Sequence, residues 1–434
     1  MTSVGEALAL GLRDRGVEVV FGIPGVHTIE LYRGLPASGL RHVTPRHEQG
    51  AGFMADGYAR VSGKPGVAFV ITGPGLTNTL TAMAQARADS VPMLVISGVN
   101  ARATLGMGLG ELHELPDQRG MAASLALMSL RISSPDEVAP ALDAAFGLFA
   151  SGRGGPVHIE VPTDVMPLAC PALPVPAPLP PAPVPGAEAV AVAARRLDTA
   201  EHPVILAGGG CRRHGAALAA LAERLDAPVV QTVNARGLMH GHPLAVPASP
   251  SLAPVRDLLA GADAVLALGT EFGLTDYDMY KDGRFPDLAG LVRVDIDATQ
   301  LARRPAAATI LAEAGAAIAA LVAATGARPA GSGARRAAHA RAAARAALAG
   351  LNPDMPGQLA MLEAARAALP GAIIVGDSTQ PVYAGNLFYD HDRPGGWFNA
   401  ATGYGALALA PAPRSAPRWP RPMCRFFALP EMAG

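Results

Sequence analysis

The sequence predicts an α/β protein with three consecutive doubly wound parallel-sheet domains, the third of them incomplete. Short apolar runs alternate with helical segments, and several of these runs end in glycine-rich turns. That alternation is typical of parallel sheets covered by helices on both faces. Half of the 434 residues are hydrophobic and the formal net charge is −1, so the composition suits large cores and gives no electrostatic reason to expect nucleic acid.

The first domain is predicted to span residues 1–170. An amphipathic helix opens the chain, and buried strands then alternate with helices up to residue 161. The predicted helices are 3–15, 27–34, 48–62 and 76–88, and the predicted strands are 17–21, 41–44, 66–71, 92–97 and 156–161. Each glycine-rich turn therefore follows the carboxyl end of a strand, where open α/β sheets bind ligands.

Proline-rich residues 171–185 predict a stiff extended linker between the first and the second domain. A central Rossmann-like domain is expected over 186–328. Its predicted helices are 186–198 and 214–224, and its predicted strands are 203–207, 228–231, 264–268 and 291–295. An Ala/Arg-rich segment over 329–355 follows, and its central part predicts a surface helix or a linker.

The third domain is expected over 356–434, with a predicted helix at 357–368 and a predicted strand at 372–375. Its character changes at about residue 408. Residues 411–422 contain five prolines, a density that fits neither a helix interior nor a central strand. We therefore expect this tail not to form part of a sheet, and we interpret it as a frame disruption near 408 with the frame regained near 426.

Three segments of the first domain carry the strongest functional signal. Glu48 stands just before a helix whose first turns are unusually small, with Gly50 and Gly52. Small side chains at a helix start allow another group to approach closely. Glycine-rich turns at 21–25 and 72–78 lie at the carboxyl ends of predicted parallel strands, which is where open α/β sheets bind ligands.

These segments resemble, in order and spacing, the pyrimidine-binding domain of thiamine-diphosphate enzymes of the acetolactate synthase and 2-oxo acid decarboxylase family. The resemblance covers roughly residues 1–407, and the subgroup that it resembles most decarboxylates 5-guanidino-2-oxopentanoate. It implies that Glu48 is the catalytic residue that activates thiamine diphosphate. It also implies a set of cofactor-binding residues: Gly25, Gly73, Pro74, Gly75, Asn78, Ser378, Thr379, Gln380, Gly405 and Leu407.

The family's metal motif is missing from this sequence. Mg²⁺ would be expected to hold the diphosphate through carboxylate and amide oxygens, but no Gly-Asp-Gly triplet occurs in the chain. No metal ligand is therefore assigned. The glycine run 208–210 fits a dinucleotide fingerprint only in part, so an empty central domain is favoured while FAD or an adenine nucleotide is not excluded.

The substrate loop is expected at residues 110–118, which contain Glu111, Glu114 and Asp117. The resemblance implies substrate contacts from His27, His113 and Glu114. Carboxylates suit a guanidinium group, although acids on a solvated loop would explain the same pattern.

The resemblance implies decarboxylation or carboligation of a small-molecule 2-oxo acid, in a homodimer or homotetramer. An acetolactate synthase-like carboligase and a non-catalytic, truncated homologue are the alternatives. A nicotinamide-type nucleotide-binding protein has only the glycine run 208–210 in its favour. The absence of a basic leader or a long apolar run predicts a cytoplasmic protein that does not enter a membrane.

Overall fold

The computed structural model describes residues 2–279, 283, 285–286, 288–409 and 426–429. The chain divides into two compact units, Met1–Pro181 and Ala182–Gly434. The division falls inside the proline-rich segment, as expected for an extended connector. No helix in the described part of the chain is long and apolar enough to cross a membrane.

The first unit is built on one parallel sheet with helices between its strands. Its strands are β1 (Thr2–Ser3), β2 (Val19–Gly22), β3 (Arg41–Val43), β4 (Gly66–Val70), β5 (Met93–Val99), β6 (Met128–Arg131), β7 (Pro156–Pro162) and β8 (Ala169–Cys170). Its helices are α1 (Val4–Asp14), α2 (Ile29–Ser38), α3 (Glu48–Ser62), α4 (Pro74–Ala88), α5 (Gln118–Ala123) and α6 (Val138–Ser151). β1 and β8 form a separate antiparallel pair.

The order of strands in the main sheet is β3-β2-β4-β5-β7-β6. Every pairing between these neighbours is parallel. The chain reverses its direction of winding between β2 and β4, so this gap is the switch point at which open α/β sheets form a ligand crevice. The turns that follow β2 and β4 are the glycine-rich turns identified in the sequence.

The predicted strand 156–161 is confirmed as β7, but it does not end the sheet, because β6 pairs with its outer edge. The sequence analysis missed β6. Met128–Arg131 is short and half-buried along its whole length, so it lacks the apolar run of a central strand. Its alternation of apolar and polar residues is typical of a half-buried strand, but the sequence analysis did not use it.

The second unit contains two parallel sheets. Its strands are β9 (Pro203–Ala207), β10 (Val229–Gln231), β11 (Ala245–Val246), β12 (Ala264–Leu268), β13 (Val292–Asp295), β14 (Ala308–Leu311), β15 (Ile373–Gly376), β16 (Trp397–Asn399) and β17 (Phe426–Leu429). Its helices are α7 (Ala187–Thr199), α8 (Gly215–Leu225), α9 (Ala253–Ala260), α10 (Leu274–Tyr277), α11 (Ala298–Ala302), α12 (Ala314–Ala324), α13 (Gly333–Leu351), α14 (Met355–Ala368) and α15 (Gln380–Leu387).

The larger sheet of this unit has the order β11-β10-β9-β12-β13-β14. In chain order this is 3-2-1-4-5-6, the arrangement of dinucleotide-binding folds. The smaller sheet has three described strands in the order β16-β15-β17, all parallel. Thus the expected α/β fold with parallel sheets is confirmed.

The Ala/Arg-rich segment is a helix, which is one of its two predicted forms. In α13 the residues Ala337, Ala340, Ala344 and Leu348 are buried. Their spacing of three or four places them on one face, and that face belongs to a core that also contains residues of β15 and α15. The proline-rich residues 411–422 lie outside the described part of the chain.

Candidate active site

Glu48 lies at the first position of α3 and is held there by a residue of α4. The Asn78 amide donates a hydrogen bond to Glu48 Oε2 over 3.0 Å. His47 caps the helix, since its Nδ1 accepts a hydrogen bond from Gln49 N–H at 3.2 Å. The structure therefore brings together two residues, Glu48 and Asn78, that the sequence analysis selected from different turns.

Tyr32 approaches the same carboxylate and was missed by the sequence analysis. Burial and the charge of Glu48 raise the pKa of Tyr32. Its hydroxyl is buried without a hydrogen-bond partner, and it lies 2.7 Å from the position of a Cβ on Gly22. No sequence signal distinguishes this tyrosine, because an aromatic residue on the buried face of α2 is ordinary core.

The turn after β4 requires glycine at its first position. Gly73 has φ +64°, in the left-handed region. A Cβ at this position would lie 2.5 Å from the backbone oxygen of His113. Pro74 and Gly75 then begin α4, and a Cβ on Gly75 would lie 2.8 Å from Ile71 Cγ1. Close packing against Ile71 and His113 therefore requires glycine at both positions of this turn.

A buried glutamine, Gln118, fixes this turn by hydrogen bonds. Gln118, the first residue of α5, accepts a hydrogen bond from Gly73 N–H at 2.8 Å and donates to Gly98 O at 2.8 Å. It also donates to Glu160 Oε2 at 3.2 Å, and Glu160 is paired with Arg131 at 2.6 Å. Burial raises the pKa of Glu160, against the effect of Arg131. Gln118 therefore fixes the Gly73 turn to the ends of β5 and β7.

His27 and His113 come together at the outer side of the turn. Their rings are perpendicular, with centroids 5.4 Å apart. His27 Nδ1 is buried, and no hydrogen-bond partner for it lies in the described part of the chain. Desolvation and the neighbouring His113 lower the pKa of His27, while the Glu111 carboxylate opposes that shift. At neutral pH His27 is accordingly an uncharged ring.

Glu114, selected from the sequence as a substrate contact, instead organises its own loop. Its Oε1 accepts hydrogen bonds from Gly108 N–H (2.7 Å) and Leu109 N–H (3.2 Å). Its Oε2 accepts from Gly110 N–H (2.8 Å) and Glu111 N–H (3.1 Å). Desolvation opposes the change, but these four N–H groups together lower the pKa of Glu114. The charge of Glu114 therefore binds backbone N–H groups of its own loop. A contact between Glu114 and the substrate stays a prediction.

The residues expected to face the diphosphate lie in the second unit, after β15. Thr379 precedes α15, and its buried hydroxyl has no hydrogen-bond partner among the residues that the structure describes. Ser378 is half-buried and Gln380 is exposed. Further along, Gly405 has φ +76° and Leu407 is 47% exposed. An unpartnered hydroxyl beside a helix N-terminus is compatible with a phosphate group.

The second unit offers no metal centre in the residues that the structure describes. No cluster of three His, Cys, Asp or Glu side chains suited to a metal occurs among them. The Asp377 carboxylate accepts a hydrogen bond from Leu409 N–H at 2.8 Å. The described residues thus fit the organic cofactor at several points but do not supply a Mg²⁺ site.

The glycine run of the central sheet makes a close backbone contact. Gly210 N–H donates to Gly269 O at 3.1 Å, and Gly208 N–H donates to Leu268 O at 2.9 Å. A Cβ on Gly210 would lie 2.9 Å from Gly269 Cα. Glycine is therefore required here by packing between two loops, and binding of FAD stays an untested prediction.

Known proteins match both units of the chain. The family described as thiamine pyrophosphate enzyme, N-terminal TPP binding domain, matches residues 2–121, and the central domain of the same family matches residues 190–321. A probable 2-ketoarginine decarboxylase, AruI, from Pseudomonas aeruginosa is 47% identical over 412 residues, which cover 93% of this chain and 72% of the relative.

Acetolactate synthases are more distant relatives. The enzyme of Mycobacterium bovis is 33% identical over 329 residues, covering 73% of this chain and 52% of the relative. The large subunit of isozyme 1 from Escherichia coli is 32% identical over 299 residues, covering 67% of this chain and 52% of the relative. The chain spans about half the length of these synthases. From the Glu48 site, the parallel sheets and these matches together, the chain belongs to the thiamine pyrophosphate enzyme family.

Proposed function

We propose that this protein catalyses thiamine-diphosphate-dependent decarboxylation of a 2-oxo acid whose side chain carries a guanidinium group, such as 2-ketoarginine. The observation that carries the reaction class is the Glu48–Asn78 pair at the switch point of the first sheet. The substrate class is supported by the 47% identity to a probable 2-ketoarginine decarboxylase, against 33% to an acetolactate synthase.

Thiamine diphosphate, when bound, supplies a cationic ring that takes up the electron pair left as carbon dioxide departs. The protein binds and orients the cofactor and exchanges a proton with it. Glu48 presents a half-buried carboxyl group for a proton shared with the pyrimidine ring, and the Asn78 amide holds Oε2 of that group in place. Gly73 and Gly75 keep the wall beside the ring free of side chains, and Gly25 is proposed to do the same after β2.

In the second unit we propose that Ser378, Thr379 and Gln380 bind the diphosphate, with Gly405 and Leu407 beside the ring system. The unpartnered Thr379 hydroxyl supports this assignment. Since the described residues provide no Mg²⁺ site, no step is assigned to a metal.

The test is a titration of the purified chain with thiamine diphosphate, with and without Mg²⁺, followed by an assay of carbon dioxide release from 2-ketoarginine. Glu48→Gln should abolish release while Glu188→Gln, an exposed glutamate in α7, leaves it unchanged. Acetolactate formed from pyruvate would instead support a carboligase. A chain that binds the cofactor but releases no carbon dioxide from either acid would show a non-catalytic homologue.

We also propose a homodimer or homotetramer in the cytoplasm. Support for assembly comes from exposed apolar side chains near the site in the first unit: Val26, Ile29, Met107, Leu109 and Leu112. Where exposed apolar side chains gather into one patch, they usually mark an interface. Sedimentation velocity over a range of concentrations tests this, and a monomer at every concentration contradicts it.

A further inference from the structure

The acidic loop, residues 108–117, contains three carboxylates, and the structure gives them different roles. Asp117 caps α5, because its Oδ1 accepts a hydrogen bond from Gly120 N–H at 2.8 Å. Glu114 accepts hydrogen bonds from the four N–H groups of residues 108–111. Both charges are therefore engaged by the backbone of the loop and of the helix that follows it.

Glu111 is the exception. It is half-buried, and its Oε2 accepts a hydrogen bond from the Thr104 hydroxyl at 2.9 Å. Among the residues that the structure describes, its Oε1 makes no hydrogen bond and the carboxylate has no cationic partner within ion-pair distance. A carboxylate with one oxygen fixed and the other open is prepared to bind a group with N–H donors.

The position of Glu111 relates it to the reaction site. Its charge acts on His27, whose ring contacts that of His113. The backbone of His113 in turn packs against Gly73, at the start of the helix that carries Asn78. Asn100 Nδ2 donates to Leu112 O at 3.0 Å, which fixes this part of the loop to the end of β5.

The surroundings leave the charge of Glu111 uncompensated. His27 has a lowered pKa and is neutral at pH 7, so it does not provide a cation. Its Nδ1 lacks a partner, which leaves one further polar atom beside the loop. A planar cation with several N–H donors complements a carboxylate and a neutral imidazole better than an apolar chain end would.

We propose that Glu111, oriented by Thr104, determines specificity by binding the guanidinium group of the substrate. This inference rests on the proposed function, since it assumes that the 2-oxo acid extends from the Glu48 site toward the acidic loop. Glu114 and Asp117 shape the loop through their hydrogen bonds to backbone N–H groups.

The test uses the full chain and two unreactive acids of equal chain length, 5-guanidinopentanoate and octanoate, so that the readout is affinity by calorimetry and not turnover. The unmodified chain should bind the guanidino acid at least about tenfold more tightly, the size expected of one hydrogen bond to a charged group. Glu111→Gln should remove that preference without changing the affinity for octanoate. Thr104→Val should reduce it partly, and Glu188→Gln should leave it intact.

Loss of affinity for both acids in Glu111→Gln, or an unchanged preference, would overturn the inference. If the chain releases carbon dioxide from 2-ketoarginine but Glu111→Gln retains the preference, only the role of Glu111 is wrong. If the preference depends on Glu111 but no carbon dioxide is released, the recognition site stands and the proposed reaction is wrong. Absence of binding by the unmodified chain contradicts both.

Discussion

At the scale of single residues, burial decides which charges matter for folding and which remain for ligands. Arg60 in α3 is buried and donates to Asp56 (2.5 Å) and to Asp89 (2.7 Å). Burial disfavours the charged form of Arg60, but the two carboxylates outweigh this effect and raise the pKa of Arg60. The guanidinium group therefore stays charged. Glu111, by contrast, has no such cation beside it in the part of the chain that the structure describes. Carboxylates thus stabilise packing beside Arg60, whereas the carboxylate of Glu111 is proposed to bind a ligand.

Arg60→Met is expected to reduce the free energy of unfolding by roughly 3–5 kcal/mol, because it leaves two buried carboxylates without their cation. The midpoint of urea denaturation measures this. Arg13→Met is the matched control, since Arg13 pairs with Asp14 at the surface, where both side chains are at least 40% exposed. Arg13→Met should reduce the free energy of unfolding by less than about 1 kcal/mol. Equal effects of the two substitutions would contradict the assignment.

At the scale of elements, the turn at the start of α4 shows how a strand end becomes a binding surface. Gly73 adopts a left-handed φ, its N–H is bound by Gln118, and the backbone of His113 covers the place of a side chain. The sequence identified the turn by its glycines. It did not identify Gln118 or His113 as its supports, because contacts across 40 or more residues leave no local pattern.

Gly73→Ala is expected to destabilise the first unit by about 2 kcal/mol or more and to weaken thiamine diphosphate binding, because it combines backbone strain with a steric clash. Gly57→Ala in α3 is the control. A Cβ at Gly57 meets nothing within 4 Å, so alanine should stabilise the helix slightly. Thermal unfolding and cofactor titration of both variants provide the comparison, and unchanged binding in Gly73→Ala would exclude the turn from the cofactor site.

Arg236 joins loops from the two sheets of the second unit. It is fully buried and donates to the carbonyl oxygens of Gln231, Pro247, Asn386 and Tyr389. Burial lowers the pKa of Arg236 to about 10. Since that value is far above 7, the guanidinium stays charged and keeps its donors.

Arg236→Met is expected to separate the unfolding of the two sheets, since four carbonyl oxygens lose a charged donor. Each buried carbonyl that is left without any other donor costs roughly 1–3 kcal/mol. Limited proteolysis should then cut the connections around residues 350–354 and 388–395 at lower denaturant concentrations than in the unmodified chain. Arg335→Met, on the exposed face of α13, should behave like the unmodified chain. Identical digestion patterns for all three proteins would show that Arg236 does not couple the sheets.

At the scale of the whole molecule, buried histidines should make stability depend on pH. His158 lies in β7 between Ser97 Oγ (2.8 Å) and Ser129 Oγ (2.9 Å). Burial lowers the pKa of His158 to about 3, from an ordinary value of 6.5. Burial likewise lowers the pKa of His391 to about 4. At pH values between these lowered pKa values and 6.5, the two histidines bind protons in the unfolded chain but not in the folded chain.

Stability is therefore expected to be complete above pH 6.5 and to fall as the pH decreases from 6.5 toward 3, by roughly a kcal/mol per pH unit for each histidine. Urea denaturation at intervals from pH 7 to pH 4 measures the slope. His158→Gln should flatten it, whereas His202→Gln, at an exposed position, should not. A slope that is the same in all three proteins would show that His158 does not set it.

The sequence alone determined the family, the alternation of strands and helices, and the identity of Glu48, Asn78 and the glycine turns, because these features are written in local patterns of size, polarity and backbone freedom. It also showed that the Gly-Asp-Gly motif is absent. Only the tertiary structure placed β6 beside β7 and joined Gln118 to Gly73 by a hydrogen bond. It also showed that Glu114 binds backbone N–H groups of its loop, whereas Glu111 has one oxygen without a hydrogen bond among the described residues. These depend on which distant hydrogen-bond donors fold against each side chain, and no short segment of the chain encodes that.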